Sequence, residues 1–394
     1  MKRRDFLLDL LATAPLATAS LAVPKLSATE TAEDTLKIGY LPILDATSLL
    51  IAHTKGFFTA EGLKVAEPMM ATSWADLIIG FLSGKFNLVH FLNPIPIWLR
   101  YNHQIPIKII AWAHINGSAI LGSKTHHIHS LHDLGGKRVA IPYWHSTHNI
   151  LLQMILRHSG LKPVIKKNFE EIAENEVNLQ VLPPALMVTA LKAHNIEAFI
   201  VAEPINAQGE LLADGNILRF TGDVWKNHPC CVLCMPENTI NTNPVFTQKV
   251  LNATVKAQIY AQQHKAEVAQ ILSKQGKSYI PVNVEVLNRA LLGYDPKFYT
   301  DPKAILHADE WCNGRIDFSP WPYPSATRFL VETMKKTVVP IRGQYLETLD
   351  AEFVAKDLVD YQFVKTAMER HKGWETAPGV DIEHPFTREE IIAV

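Results

Sequence analysis

LKIGYLPILDATSLLIAHTKGFFTAEGLKV, residues 36–65, and SGKFNLVHFLNPIP, residues 83–96, bracket the unit from which the fold is read. Leu36 to Leu41 is a short apolar run with strand character, Pro42 to Ala46 forms a turn, and Thr47 begins an apolar-periodic segment with helical spacing. Gly62 closes that helix, and Leu63 to Met69 reads as a second strand. Ser73 is placed to cap a helix running to Phe81, and Asn87 to Phe91 supplies a third strand. Strand, helix, strand, helix, strand is the order of a doubly wound α/β domain, whose ligands collect at the carboxyl ends of the strands. The first strand–helix turn, Leu44 to Ser48, therefore exposes unpaired backbone N–H groups suited to an anion.

The rest of the chain extends this pattern. Its 394 residues, 47% of them apolar, suffice for two domains, and a formal net charge of −1 gives no field that would draw nucleic acid or an anionic membrane. Cysteines at 230, 231, 234 and 312 are too few and too clustered for a disulfide framework. Lys2-Arg3-Arg4 ahead of the apolar stretch Leu7 to Val23 reads as an export signal over residues 1–28, with the adjacent arginines suggesting the twin-arginine route. Asp9 and Pro15 interrupt that stretch, which falls short of the ~20 apolar residues that span a bilayer. A cleaved, soluble, periplasmic product is expected.

Several motifs carry a family resemblance. Asp45-Ala46-Thr47, Lys55-Gly56-Phe57-Phe58, Ser73-Trp74-Ala75 and the run His90 to Pro96 resemble the first lobe of periplasmic solute-binding proteins of ABC importers for nitrate, bicarbonate, sulfonates and taurine. These share a fold with thiamine-precursor-binding proteins. Ser130 to Pro142 resembles the family's connection from lobe to lobe, Glu203-Pro204-Ile205-Asn206-Ala207-Gln208 its E-P-W-N-A-Q loop, and Gly314 to Thr327 its proline-rich segment. The resemblance implies a two-lobed type II periplasmic binding protein, each lobe a doubly wound, mostly parallel sheet. Lobe 1 is expected over 36–138, lobe 2 over 139–230, a return to lobe 1 with C-terminal helices over 231–340, and a C-terminal extension over 341–394 that becomes a loose tail beyond Trp374. Prolines 320, 322 and 324 stiffen a segment that presents Trp321 and Tyr323 to a surface or cleft.

The expected cleft loops bring together Asp45, Thr47, Ser73, Trp74, His90, Asn93, Trp144, His145, Thr147, His148, Glu203, Asn206, Gln208 and His228. Such a polar, aromatic and histidine-rich set suits a small anion or small polar molecule, held by neutral donors with adjustable imidazole charge. Each has a structural alternative: Ser73 as a helix cap, Trp74 and His90 as core. His126, His127, His129 and His132 read as a solvated loop, while His145, His148, His228 and Glu203 form an alternative set for a transition metal. Strand alternation would split Cys230 and Cys234 from Cys231, which favours core packing for all three. Neither a cofactor nor a resident metal is expected. Nucleophile-elbow, P-loop and zincin motifs are absent. The reading is a non-enzymatic solute binder that closes by hinge motion and delivers its solute to a permease and ATPase, in peripheral contact with their inner-membrane complex. The alternatives are an iron-dependent enzyme like thiamine-pyrimidine synthase, or a periplasmic sensor of the same solute.

Overall fold

The computed structural model describes residues 35–167, 170–292, 299, 304–307 and 314–394. The expected export signal and Cys312 lie outside the described residues. In chain order the first strands are β1 (Ile38–Tyr40), β2 (Met69–Met70), β3 (Leu88–Leu92) and β4 (Ile107–Trp112). Then come β5 (Ser118–Ser123), β6 (Lys137–Ile141), β7 (Lys162–Val164), β8 (Glu176–Val181), β9 (Ala198–Ala202), β10 (Gly215–Phe220) and β11 (Cys231–Pro236). They build two sheets, ordered β2-β1-β3-β11-β4 and β7-β8-β6-β9-β5-β10. In the first, β1 runs parallel to β2 and β3, while β11 is antiparallel to β3 and β4. In the second, β7, β8, β6 and β9 are parallel, and β5 and β10 close the edge antiparallel. The two lobes are thus mixed α/β with parallel-rich sheets.

The chain passes from lobe 1 to lobe 2 between β4 and β5 and returns just before β11. The expected boundary at residue 138 is therefore too late, because Ser118 to Ser123 pairs with Ala198 to Ala202 in the second sheet. A third segment, Ile316–Asp317, pairs antiparallel with Ile115–Asn116 on the first crossover. The helices that matter to the site are α1 (Thr47–Thr54), α2 (Trp74–Leu82), α3 (Pro94–His103) and α4 (Thr147–His158). Helix α1 stops short of Gly62 because Gly56 turns left-handed at φ 68°, a conformation glycine adopts freely, before a second turn Phe57–Ala60. Among the described residues no helix is long and apolar enough to cross a membrane.

Two expectations for the C-terminal part are overturned. Trp321 and Tyr323 do not face a cleft: Tyr323 packs edge-on against Trp112 at 5.4 Å, and Trp321 against Phe386 at 4.6 Å. The segment beyond Trp374 is not loose. Ala393 N donates to Val224 O (2.7 Å), Lys226 N to Ile391 O (3.1 Å), and Trp225 Nε1 to Glu390 Oε2 (2.6 Å). These bonds hold the charged tail as an extra strand-like strap, which composition alone does not reveal.

Lobe 1 packs tightly where Phe86 lies between β1 and α2. A Cβ added at Gly39 would stand 2.4 Å from that ring, and one added at Gly80 would stand 2.2 Å from it. Gly39→Ala is expected to cost about 1–3 kcal/mol by overpacking. Gly80→Ala should cost less, because alanine regains roughly 0.5–1 kcal/mol of helix propensity. Urea unfolding of both variants checks this order; a stabilised Gly39→Ala protein would show that Phe86 moves freely.

Candidate functional site

The turn between β1 and α1 places Asp45 and Ser48 at the lobe junction, both buried. Thr47 closes the turn locally, its Oγ1 donating to Leu44 O at 2.6 Å. The turn is docked across the junction, because Leu44 N donates to Glu203 O at 2.9 Å. In the same lobe, Ser73 acts as the α2 cap, accepting from Asp76 N at 3.1 Å, and so is spent on the helix. Trp74 follows it, fully packed, with its ring edge-on to His90 at 5.6 Å.

His90 sits on β3 and its Nε2 accepts from Leu41 N at 3.0 Å, so the ring proton lies on Nδ1. That Nδ1–H, Trp74 Nε1–H and Ser48 Oγ are buried without a partner. Burial drives the His90 imidazole neutral, down to about 4. Asn93, just before α3, donates its backbone N–H to Cys230 O at 3.0 Å and leaves its side-chain Oδ1 unpartnered. Lobe 1 therefore offers a group of neutral donors with an acceptor alongside.

Lobe 2 faces it with the loop after β6 and the start of α4. Ser146 caps α4, accepting from Asn149 N at 3.0 Å, and Thr147 Oγ1 donates to Pro229 O at 3.4 Å. His148 Nε2 lies 2.9 Å from Ser118 Oγ, and its Nδ1 is unpartnered. Asn206 donates Nδ2 to Val201 O at 2.7 Å and keeps Oδ1 free. Thr221 Oγ1 donates to Ser118 O, so at 2.8 Å it accepts from His228 Nε2, which leaves His228 Nδ1 as a bare lone pair. Burial holds His228 neutral, down to about 3.

Three expected residues serve elsewhere. The Glu203 carboxylate is committed to Arg315 Nη1 at 3.0 Å and to Ala207 N at 3.0 Å, a buried ion pair rather than a ligand contact. His145 stacks on Trp98 across the lobes, 4.7 Å between centroids, and burial pushes it down to about 3. Trp144 lines a separate small cavity with Pro94, Ile150 and Leu346. His145, His148, His228 and Glu203 consequently do not form a metal set. His126 pairs with His194 at the surface, and among the described residues its histidine-rich loop forms no such set either.

Sequence reasoning missed His114, Ser118, Thr221 and Arg315; Cys230, Cys231 and Cys234 are buried as core packing requires, but the expected split of Cys230 from Cys231 is not found. Cys230 precedes β11 rather than lying in it, so alternation does not part it from Cys231. Both thiols reach Asp45 and His114, whose ligand atoms all lie within 4.8 Å of one another. Burial favours neutral forms there, but Asp45 holds His114 protonated, raised to about 10. Burial likewise opposes ionisation of Cys230, yet its hydrogen bond from Cys231 and the neighbouring His148 and His114 pull it well below the usual thiol range. Cys231 and Cys234 are raised by burial.

Comparison with known proteins gives consistent matches. The model of the NMT1-like family matches residues 29–273. A nitrate/nitrite binding protein NrtA of Nostoc is 29% identical over 70% of this chain and 64% of its own length. A bicarbonate transport ATP-binding protein CmpC of Synechocystis is 27% identical over 64% of this chain, which spans only 39% of that longer protein. The crystal structure of the periplasmic nitrate-binding protein NrtA from Synechocystis superposes with a TM-score of 0.69 over 89% of this chain and 96% of its own, at 21% identity. That likeness establishes the two-lobed periplasmic-binding-protein fold.

Two consequences can be measured. Arg315→Met leaves the buried Glu203 without its cation and Glu210 with Arg289 alone, and should cost about 3–5 kcal/mol in denaturant unfolding; a neutral effect would mean Glu203 finds another partner. His90 and His145 are neutral when folded and ordinarily titrate near 6.5, so unfolded chain takes up protons first. Their contribution to stability is full above about 6.5 and is lost as pH falls toward 4 and then 3. His114, with the opposite shift, is charged in both states through that window. Melting temperature should drop on acidification, and less steeply in His145→Phe; parallel curves would remove His145 from the cause.

Proposed function

The chain belongs to the NMT1-like family, and from that membership we propose that it is the solute-binding component of an ABC importer, taking a small anion of the nitrate, bicarbonate or sulfonate class. One observation carries the reading. Buried polar groups on both sides of the junction are left without a partner: Trp74 Nε1, His90 Nδ1 and Ser48 Oγ in lobe 1 and His148 Nδ1 in lobe 2. Buried polar groups are ordinarily satisfied, so unsatisfied ones on both sides of one junction mark a place where a polar guest belongs. Neutral N–H and O–H donors suit an anion that must also be released.

Binding proceeds by closure about the crossovers between β4 and β5 and before β11. A solute touching both lobes lowers the free energy of the closed arrangement by the contacts it makes only there. The Leu44–Glu203 hydrogen bond and the Trp98–His145 stack are contacts of that arrangement. The protein itself performs no chemistry; a membrane permease and an ATPase, the latter of the kind named among its relatives, carry the solute inward. Export by the N-terminal signal and a periplasmic location complete the reading.

A thermal-shift series of the mature chain against nitrate, bicarbonate and short alkanesulfonates tests it. The cognate anion, at about 100 times its dissociation constant, adds about 2.7 kcal/mol of stability. Trp74→Phe removes one donor without emptying the packing, and should weaken that anion by roughly tenfold, as loss of about 1.4 kcal/mol of hydrogen bonding requires. No shift with any anion, or a Trp74→Phe protein that binds as before, would overturn the assignment.

A further inference from the structure

We infer that the floor of the lobe junction is a metal site, in which Asp45, His114, Cys230 and Cys231 take one thiophilic divalent transition-metal ion. The four side chains come from three separate stretches: the β1–α1 turn, the outgoing crossover and the returning one. All four residues are fully buried, and each presents one ligand atom within 4.8 Å of the others. Two edges of the set are shorter still, with His114 Nε2 at 3.1 Å from Asp45 Oδ2 and Cys230 Sγ at 3.7 Å from the same oxygen. A tetrahedral ion with metal–sulfur bonds near 2.3 Å and metal–N/O bonds near 2.0–2.1 Å holds its ligand atoms roughly 3.3–3.8 Å apart. The set is therefore within about 1 Å of a four-coordinate geometry.

Core packing does not account for the arrangement. Cys234, three residues on from Cys231, shows what a structural cysteine looks like here: buried, with burial alone raising its thiol. At the junction, by contrast, a carboxylate, an imidazole and two thiols face each other; His114 Nε2 pairs with Asp45 Oδ2 across 3.1 Å, while Asp45 Oδ1 and His114 Nδ1 lack a hydrogen bond. Such a cluster is costly to bury unless something joins its members. Two sulfurs, one imidazole and one carboxylate select a zinc-like or cobalt-like ion over magnesium or calcium, which prefer oxygen. Around the set, Ser118 Oγ and His148 Nε2 each lie 3.7 Å from Cys230 Sγ, close enough to tune a bound thiolate.

Binding is coordination without electron transfer. The ion enters as a dication, Cys and His protons still present leave to solvent, and four donor pairs occupy its shell. An anion could not use this floor, since it would meet a carboxylate and two sulfurs; the metal is a ligand distinct from the solute proposed above. Because its donors span the β1–α1 turn and both crossovers, the bound ion favours the closed arrangement.

The experiment uses the full mature chain, stripped with chelator and titrated with Zn²⁺ and Co²⁺. One ion per chain is expected. Co²⁺ should give the thiolate-to-metal charge-transfer band and the strong visible bands of a four-coordinate site. X-ray absorption on the wild-type zinc protein should resolve two sulfur and two nitrogen or oxygen neighbours, a readout that needs no variant. Cys230→Ser and Cys231→Ser should each weaken binding by more than the ~100-fold that loss of an outer-shell partner costs, and Cys234→Ala should bind as wild type. Anion affinity measured on the same samples keeps the solute reading separate. A zinc shell without sulfur overturns the inference. So does binding that survives both cysteine substitutions and is lost in His126→Ala/His129→Ala.

Discussion

The arrangement of the two lobes depends on one buried ion pair, Arg315 with Glu203, both without solvent contact. Its backbones matter as much as its charges. Gly117, on the outgoing crossover, donates its N–H to Arg315 O at 2.7 Å and accepts from Glu203 N at 2.8 Å. Glu203 O in turn receives Leu44 N from the first turn of lobe 1. A charge pair is expensive to desolvate and persists in an interior only when its remaining donors and acceptors are filled. Here Glu203 also accepts from Ala207 N, and Arg315 also reaches Glu210 and Tyr299. Gly117 at φ 85° stands in the one conformation that lets both partners approach, and an added Cβ would lie 3.0 Å from Ile316. The crossover is thereby fixed at one residue while the strands on either side stay free to build separate sheets.

That constraint also explains how far the sequence could be read. Local pattern was enough for the opening unit: the apolar run at Leu36, the Ser73 cap and the strand at Leu88 are all set by neighbours within a few residues. The residue types gathered at the junction were legible for the same reason, since they stand where strands end and helices begin. Pairing between distant segments was not. Ser118 to Ser123 looks like any short apolar strand, and only its partner at Ala198 to Ala202 assigns it to lobe 2. Glu203 looks like a ligand until Arg315, 112 residues away, is brought beside it. The three cysteines are buried as expected, but the split of Cys230 from Cys231 failed on a single residue of register, because β11 begins at Cys231 and not before it.

The histidines show two opposite uses of burial. Where desolvation outweighs every nearby charge, as at His90, His145 and His228, the interior strips the ring of its charge and leaves a neutral donor or acceptor. Where Asp45 stands 3.1 Å away, the same interior holds His114 charged. Both kinds sit in one junction, so its polarity is set by which side chains touch rather than by the count of imidazoles.

The strap formed by residues 386–394 bears on handling as well as on architecture. Ile392 bridges to Trp225, three residues before His228, and Arg388 lies over the rings of Trp112 and Tyr323 at the base of the first sheet. An affinity tag joined after Val394 would emerge beside the returning crossover, and a protease that trims this strap would loosen the hinge without touching any group in the cleft.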